Sequence, residues 1–493
     1  MAEFDRDSIR AFRFVDCTFD ANTGEARLVY AFDDLAPMVE TLRFPGAPFA
    51  LDAARAAAVT RALRLLHLIA GVSYYKAAVP PEIRIDGYAI DAGTADFLTE
   101  VYENGLGEFA YRNGLNLRGR IMFPSAGLPL SHRERGRGEG SADEGVSEAR
   151  TSATTSAPEP SSVASRHLLP EGEGKCAPSL DLRTHALVAI GGGKDSLVTI
   201  EALRNAGVAQ TVTWIGSSPL IKACAERTGL PTLNITRQLA PELFELNKRG
   251  ALNGHIPVTA VNSAILVLAA LLHDADQVVF SNERSASYGS MIPGTGEVNH
   301  QWSKGWAFER EFAAEVARGI ASDLRYFSLL RPFSELAVAR QFARNDHYDA
   351  HFSSCNRNFH ILGERPAQRW CGVCPKCHFV FLALAPFMPK PRLLNIFGRN
   401  LLDEPEQAPG FDALLEYRDH KPFECVGEGS ESRAAMAALA SSASWREDAL
   451  VARFASEIRP QLDAGELALA PLLPAEGPHG VPAGLWEVVH ANF

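Results

Sequence analysis

The sequence has no excess of basic residues and no export signal at its N-terminus. Its 48 Lys and Arg stand against 59 Asp and Glu, which gives a formal net charge of −11. A chain with this balance has no overall positive field to hold the phosphates of a polynucleotide, so we expect no nucleic-acid partner. The N-terminal segment MAEFDRDSIRAFRF is acidic and lacks the basic start and apolar run of a secretory signal.

Long hydrophobic runs and cysteines are also scarce. The longest apolar stretch, Ala264 to Leu272, has nine residues, whereas a membrane-spanning helix needs roughly 20. We therefore expect a cytoplasmic protein with no membrane partner. Eight cysteines in 493 residues are too few for a disulfide scaffold. Four of them lie between residues 355 and 377, which indicates metal binding in a reducing compartment.

The length and composition indicate a globular protein with several domains. At 493 residues the chain exceeds one ordinary core, and it is 46% hydrophobic and 22% charged. We predict an α/β fold in which a parallel-sheet domain follows a small α+β N-terminal domain and precedes a helical C-terminal region. The predicted boundaries are residues 1–127 for the N-terminal domain, 128–180 for a low-complexity insertion, 181–390 for the sheet domain and 391–493 for the helical region.

The N-terminal domain is predicted from local patterns. The alternating runs FRFVDCTF and ARLVYAF flank the turn sequence DANTG, which predicts a hairpin over residues 12–32. Apolar residues at helical spacing predict a helix over residues 51–70 and, more weakly, another over residues 95–111.

The insertion is predicted from its composition. Between Leu130 and Leu168 the only large aliphatic residues are Val146 and Val163. Such a segment buries too little apolar surface to offset its ordering entropy, so we predict that it is disordered. Its Arg133, Arg135 and Arg137 could form a basic patch, but this composition favours a solvated linker.

The sheet domain is predicted from alternating strands and helices. Buried strands ALVAI, TVTWI, TLNI and QVVFS alternate with helices that begin near Ser196, Pro219 and Val258. This spacing predicts a parallel sheet covered on both faces, with ligands at the carboxyl ends of its strands. The chain after Phe387 has helical patterns but no motif.

A glycine-rich loop joins the first of these strands to a helix. In ALVAIGGGKDSLVTIEAL, Gly191, Gly192 and Gly193 let the backbone approach an anion, and the helix N-terminus attracts it. Lys194 and Ser196 add a cation and a hydroxyl, and Asp195 could hold Mg²⁺ or cap the helix. The alternative is an ordinary turn of an α/β sheet without a ligand.

The loop matches neither the Walker pattern nor G-x-G-x-x-G. It resembles the S-G-G-x-D-S loop of the PP-loop ATP pyrophosphatases, which cleave ATP between the α and β phosphates and leave AMP on the substrate. The resemblance implies that residues 191–196 bind ATP with Mg²⁺. Gly191 stands where that family usually has Ser, which removes one hydroxyl contact to pyrophosphate.

The clustered cysteines form a predicted metal site. Cys371, Cys374 and Cys377 lie in CGVCPKC, and Cys355 lies upstream. Four thiolates complete a tetrahedral structural Zn²⁺ site. Alternatives are an iron–sulfur cluster, or a site in which His360 or His378 supplies the fourth ligand.

Three polar segments are candidates for the reaction centre. They are NGHIPVTAVNSA, SNERSASYGS after the strand QVVF, and EVNHQWSKGWAFE. The first and third supply His255, His300 and Lys304 as candidate acids and bases, although each could be an ordinary loop residue. The second supplies Glu283 as a further candidate. The predicted substrate-binding residues are Asn282, Arg284, Ser285, Thr259 and Asn262, of which the last two could equally be helix-capping residues.

Taken together, these motifs resemble those of the UDP-N-acetyl-α-D-muramoyl-L-alanyl-L-glutamate epimerases of bacterial peptidoglycan synthesis. The resemblance covers most of the chain outside residues 128–178. It implies that ATP and Mg²⁺ are used to invert the terminal L-glutamate of a UDP-N-acetylmuramoyl dipeptide through a carboxyl adenylate. Inversion at Cα needs a base on one face and a proton source on the other, and we take His255 and Lys304 as candidates for these roles, with His300 and Glu283 as substitutes.

Other functions remain open from the residues alone. The four-cysteine site after a PP-loop domain also resembles the 7-cyano-7-deazaguanine synthases, which would make the protein an AMP-forming, amidating ligase. A nucleotide-binding protein without catalysis and a tRNA-thiolating enzyme are further alternatives, the last disfavoured by the net charge of −11.

Overall fold

A computed structural model of the protein describes residues 4–126, 177–292, 296–359, 365–418 and 421–493. The strands in these residues are β1 Ala11–Asp20, β2 Glu25–Phe32, β3 Met38–Arg43, β4 Glu82–Ile85, β5 Ala186–Ala189, β6 Gln210–Ile215, β7 Thr232–Gln238, β8 Gln277–Phe280, β9 Ser290–Ile292, β10 Gly296–Val298 and β11 Arg325–Ser328. The α-helices are α1 Ala53–Ala70, α2 Val72–Tyr75, α3 Ala92–Gly105, α4 Gly107–Arg112, α5 Lys194–Asn205, α6 Pro219–Arg227, α7 Pro241–Lys248, α8 Val258–Leu272, α9 Trp306–Gly319, α10 Glu335–Ala343, α11 Pro375–Leu384, α12 Lys390–Phe397, α13 Ala408–Leu415, α14 Gly429–Ala440, α15 Ala449–Arg453 and α16 Ala483–Asn492.

One large sheet organises the fold, with the strand order β11-β8-β5-β6-β7-β3-β2-β1-β4. The first five strands of this order are parallel, as the sequence predicts. β3 pairs antiparallel with β7 and so attaches the N-terminal strands to the parallel sheet. Within the N-terminal part β1, β2 and β3 are antiparallel, and β4 is parallel to β1. The protein is therefore a mixed α/β protein with a large, mostly parallel sheet.

Hydrophobic cores lie on both faces of the parallel strands. Along β5 and β8, Leu187 and Val278 contribute to one core, whereas Val188 and Val279 contribute to the other. The first core includes α1 and α8. The segment Ala53–Tyr75 is long and apolar enough to span a membrane, but 72% of its most apolar window is buried in the fold. We interpret it as a core helix.

Several local predictions are confirmed. β1 and β2 form the predicted antiparallel hairpin. The side chain of Asp52 accepts a hydrogen bond from the Arg55 N–H and so caps α1 close to the predicted start. α5 begins at Lys194, two residues before the predicted Ser196, because the turn is made by the glycines alone. Most of the predicted insertion, residues 128–176, lies outside the described residues, and at its end the Leu180 N–H donates to Asp323.

Candidate active site

The glycine-rich loop lies at the carboxyl end of β5, where α/β sheets commonly bind ligands. Gly192 has φ of +82°, a conformation that favours glycine, and its carbonyl accepts a hydrogen bond of 2.8 Å from the Ser353 N–H. Gly193 is the N-cap of α5 and provides no side-chain cap. The N–H groups in the first turn of α5 therefore remain suitable for an anion such as phosphate.

A serine at position 191, as in the PP-loop pattern, is predicted not to change the stability of the protein. A Cβ added at Gly191 meets nothing within 4 Å, so Gly191→Ser should leave the thermal unfolding temperature unchanged. Gly192→Ala must instead adopt φ of +82° and should cost about 1–2 kcal/mol. Urea unfolding of the two variants measures this contrast. Equal destabilisation would show that the loop is built differently.

Lys194 lies in a buried network of charges behind the loop. Its side chain is only 1% exposed and donates to carboxylate oxygens of Asp195 and Glu335. The Lys376 ammonium lies 4.0 Å from the other Glu335 oxygen. Burial acts to raise the pKa of Asp195, but Lys194, Lys376 and Lys304 lower it overall, so this carboxylate is ionised. With 25% of its side chain exposed, Asp195 can reach a bound cation, whereas Lys194 orients it from behind.

The four predicted metal ligands form one cluster. The thiols of Cys355, Cys371, Cys374 and Cys377 all lie within 4.8 Å of one another. The sulfur of Cys377 is 3.5 Å from that of Cys374 and 3.7 Å from that of Cys371, close to the ~3.8 Å edge of a tetrahedral zinc–thiolate site. The cluster can hold a structural zinc ion. His378 bonds to Gln407 instead, and His360 lies outside the described residues.

A second cluster brings together residues from four distant parts of the chain. The rings of His255 and His300 are stacked with their centroids 5.1 Å apart. Their Nδ1 atoms lie 3.7 Å and 3.5 Å from one oxygen of Glu108. On the other side, the Lys304 ammonium donates to the sulfur of Cys425 over 3.0 Å. We call Glu108, His255, His300, Lys304 and Cys425 the acid–base cluster.

Burial and the charges around this cluster favour neutral imidazoles. Burial, followed by the Lys304 charge, lowers the pKa of His255 to about 4. Burial, the neighbouring His255 and nearby cations lower the pKa of His300 to about 3. Burial acts to lower the pKa of Lys304, but Cys425 and Glu283 raise it overall, so the ammonium persists. Near pH 7 the site therefore offers two neutral imidazoles beside a fixed positive charge.

The same cluster has the ligand types of a metal site, but its surroundings favour an anion. Ligand atoms of Glu108, His255 and His300 lie within 4.8 Å of one another. Arg112, however, donates to the other oxygen of Glu108, and Lys304 and Lys421 act on His300 as further positive charges. Such a cationic setting suits a carboxylate or phosphate better than a divalent cation.

Arg331 links two of the predicted polar segments to each other. Its buried guanidinium donates to the backbone carbonyls of Glu283 and Lys304 and pairs with the Glu309 carboxylate. Glu283 itself is buried, and its carboxylate accepts a hydrogen bond of 3.0 Å from Ser285. The segment after β8 is therefore held against the segment that carries Lys304.

The other predicted substrate-binding residues lie in separate segments and have partners of their own. Asn282 donates to Ser328, and Arg284 pairs with Glu476 over 3.0 Å. The remaining predicted substrate-binding residues, Thr259 and Asn262, are half-buried and lie in the first two turns of α8.

A cleft of about 600 Å³ adjoins this region. It is bordered by residues of α3, α4, the segment that follows α4 and the segment before α9. Among them are Asn104, Tyr111, Arg118, Asn299 and Trp302. Asn299 also borders a smaller cavity that is lined by His300. The cleft is large enough to hold part of a nucleotide-linked substrate.

Sequence reasoning missed Glu108, Cys425, Glu335 and Lys376. Lys376 lies inside CGVCPKC, and its position between two zinc ligands was the available signal. Cys425 lies outside every motif, and its contact with Lys304 joins residues 121 positions apart.

The fold and these clusters define the class of protein, a mixed α/β protein with a glycine-rich loop at a strand end and a buried group of acids and bases. Comparison with known sequences then identifies the family within this class. The profile of the MurL N-terminal domain matches residues 3–144 and 158–329, and that of the MurL C-terminal domain matches residues 351–468. The unmatched residues 145–157 fall within the predicted insertion.

Relatives with a named activity match along nearly the whole chain. A UDP-N-acetyl-alpha-D-muramoyl-L-alanyl-L-glutamate epimerase from Xanthomonas oryzae pv. oryzae (strain MAFF 311018) is 66% identical over 493 residues, which are 100% of both chains. An epimerase of the same name from Micromonospora sp. (strain ATCC 39149 / NRRL 15099 / SCC 1413) is 40% identical over 479 residues, 96% of each chain. Another, from Salinispora tropica, is 40% identical over 450 residues, 90% of this chain and 87% of its own. The chain belongs to the MurL epimerase family and is an isomerase.

Proposed function

We propose that the protein converts the terminal L-glutamate of UDP-N-acetylmuramoyl-L-alanyl-L-glutamate to D-glutamate, with ATP cleaved to AMP and pyrophosphate. The substrate is the one named for its relatives. The observation that carries the mechanism is the position of Lys304, whose charge acts both on Asp195 at the glycine-rich loop and on the acid–base cluster. An activated carboxylate held at the loop would therefore lie close to groups that can move a proton.

Activation of the carboxylate makes the inversion possible. The Cα–H beside a carboxylate is a very weak acid, because deprotonation adds a second negative charge to an anion. When a carboxylate oxygen attacks the α-phosphorus of ATP, pyrophosphate leaves and an acyl adenylate forms. Its neutral carbonyl can accept the electron pair of the broken Cα–H bond as an enolate.

The residues of the loop fit a PP-loop role in this step. Gly191 to Gly193 and the first turn of α5 would bind phosphate, while Ser196 donates to the Gly193 carbonyl and stabilises the turn. The ionised Asp195 is a suitable ligand for Mg²⁺, which would neutralise phosphate charge. The four-cysteine cluster, with zinc bound, would act structurally, since Lys376 between two of its cysteines lies near Glu335 behind the loop.

The acid–base cluster would carry out the inversion. His255, neutral near pH 7, can accept the proton from Cα, and His300 or Glu283 could substitute for it. Lys304 supplies the positive charge on the side of the proton source. Reprotonation on the opposite face gives the D-isomer, and water then releases AMP. The cleft beside α3 and α4 would bind part of the UDP-sugar. The reaction would take place in the cytoplasm as a step of peptidoglycan synthesis.

Turnover in D₂O tests the proposal. With ATP, Mg²⁺ and the UDP-muramoyl dipeptide, we expect D-glutamate after hydrolysis of the product, with deuterium at Cα. Reactions that lack ATP, or that contain the dipeptide without its nucleotide, are the controls. An ammonia-dependent amide product without inversion would instead support the amidating ligase, and inversion without solvent deuterium would contradict proton transfer.

A further inference from the structure

Cys425 occupies an unusual position for a cysteine outside the zinc cluster. Its sulfur lies 3.0 Å from the Lys304 ammonium and 3.7 Å from Nε2 of His300. The residue is half-buried. The two other described cysteines outside the zinc cluster have different settings. Cys224 is buried against the Gly192 carbonyl, and Cys17 packs against the N-terminal core.

This setting suits a group that gains and loses a proton. The Lys304 ammonium donates a hydrogen bond to the sulfur and so fixes its position. The neighbouring imidazole can exchange a proton with the sulfur over a short distance. An unperturbed thiol has a pKa of about 8.5, closer to physiological pH than a lysine ammonium, and therefore makes the better proton donor.

We propose that Cys425 is the proton donor to the glutamyl Cα, and that Lys304 positions it. This inference rests on the proposed function. The His255 imidazole takes the proton from Cα of the L-glutamyl adenylate, and the electron pair passes into the enolate. The Cys425 S–H then delivers its proton to the other face of Cα as the enolate carbonyl re-forms. The resulting imidazolium and thiolate are returned to imidazole and thiol by proton transfer between them.

The assignment predicts an asymmetric defect in Cys425→Ala. We expect AMP formation from the L-substrate to persist within a few-fold, while inversion falls by at least about 100-fold. The variant should still exchange the Cα–H of the L-substrate with D₂O, because the imidazole can remove and return the proton on one face. It should not exchange the Cα–H of the D-substrate, which faces the missing thiol. Cys17→Ala is the matched control and should behave like the parent protein.

The possible outcomes separate this inference from the proposed function. If the parent protein neither forms AMP nor inverts the substrate, the proposed function fails. If the parent inverts and Cys425→Ala inverts equally well, exchanges both isomers, or loses AMP formation too, the role of Cys425 is wrong.

A second measurement tests the role of Lys304. Inversion should be lost in Lys304→Met and partly restored in Lys304→Arg, which keeps a cation that can donate to the Cys425 sulfur. Equal inversion by the two variants would overturn the role assigned to Lys304.

Discussion

Asp195→Asn is expected to lower kcat/KM for dipeptide-dependent pyrophosphate release by at least about 100-fold, with little change in stability. The substitution keeps the shape of the side chain but removes the charge that we assign to binding Mg²⁺ at the phosphates. Lys194 keeps its buried partner Glu335, so the network behind the loop does not lose both of its carboxylates. Steady-state pyrophosphate release and thermal unfolding are the two measurements.

A matched aspartate controls for the chemical change itself. Asp52 caps α1 through its side chain, and Asn caps a helix equally well, so Asp52→Asn should leave both activity and unfolding temperature unchanged. Asp195→Asn with full activity would remove Asp195 from the nucleotide site. A variant that is inactive because it has unfolded would be identified by its melting curve.

Loss of the zinc site is expected to disable both the fold and the loop. Structural zinc sites contribute on the order of 10 kcal/mol of binding free energy, part of which stabilises the folded state. Ser353, two residues before the ligand Cys355, donates to the loop carbonyl of Gly192, and Lys376, beside the ligand Cys377, lies near Glu335. Cys377→Ser should therefore lower the melting temperature by at least about 10 °C and abolish pyrophosphate release.

Metal analysis with calorimetry on the same samples tests this expectation. The parent protein should contain one zinc ion per chain and lose it to a strong chelator with the same fall in melting temperature. Cys17→Ser, in a half-buried cysteine of β1, should keep its metal. A parent protein that contains iron and sulfide, or a Cys377→Ser variant that remains stable and active, would contradict the assignment.

Local sequence patterns predicted many of the strands and helices, because the spacing of apolar residues depends on the secondary structure of the same segment. The apolar runs of β5, β6, β7 and β8 alternate with helices, and this pattern is enough for a parallel sheet. The attachment of β3 to β7 could not be predicted, since strand partners are chosen by long-range packing. Glu40, a fully buried carboxylate on β3, pairs with Arg237 of β7 over 2.7 Å, and nothing near either residue in the sequence indicates the other.

The same limit applies to the candidate site. His300 and Lys304 were predicted as candidates because they lie in one dense polar segment, and the glycine-rich loop because its glycines join a strand to a helix N-terminus. Glu108 and Cys425 come from segments without any motif and reach the histidines only through the tertiary fold. The burial that lowers the pKa of both histidines is likewise a property of packing, which no local pattern reports.

Oxygen transfer from the substrate to AMP tests the carboxyl-adenylate mechanism most directly. The UDP-muramoyl dipeptide is prepared with ¹⁸O in the α-carboxylate of its glutamate and turned over with unlabelled ATP in unlabelled water. If that carboxylate attacks the α-phosphorus and water later attacks the acyl carbon, the AMP phosphate will carry one ¹⁸O by mass spectrometry. AMP without label, or release of ADP and phosphate, would contradict the mechanism.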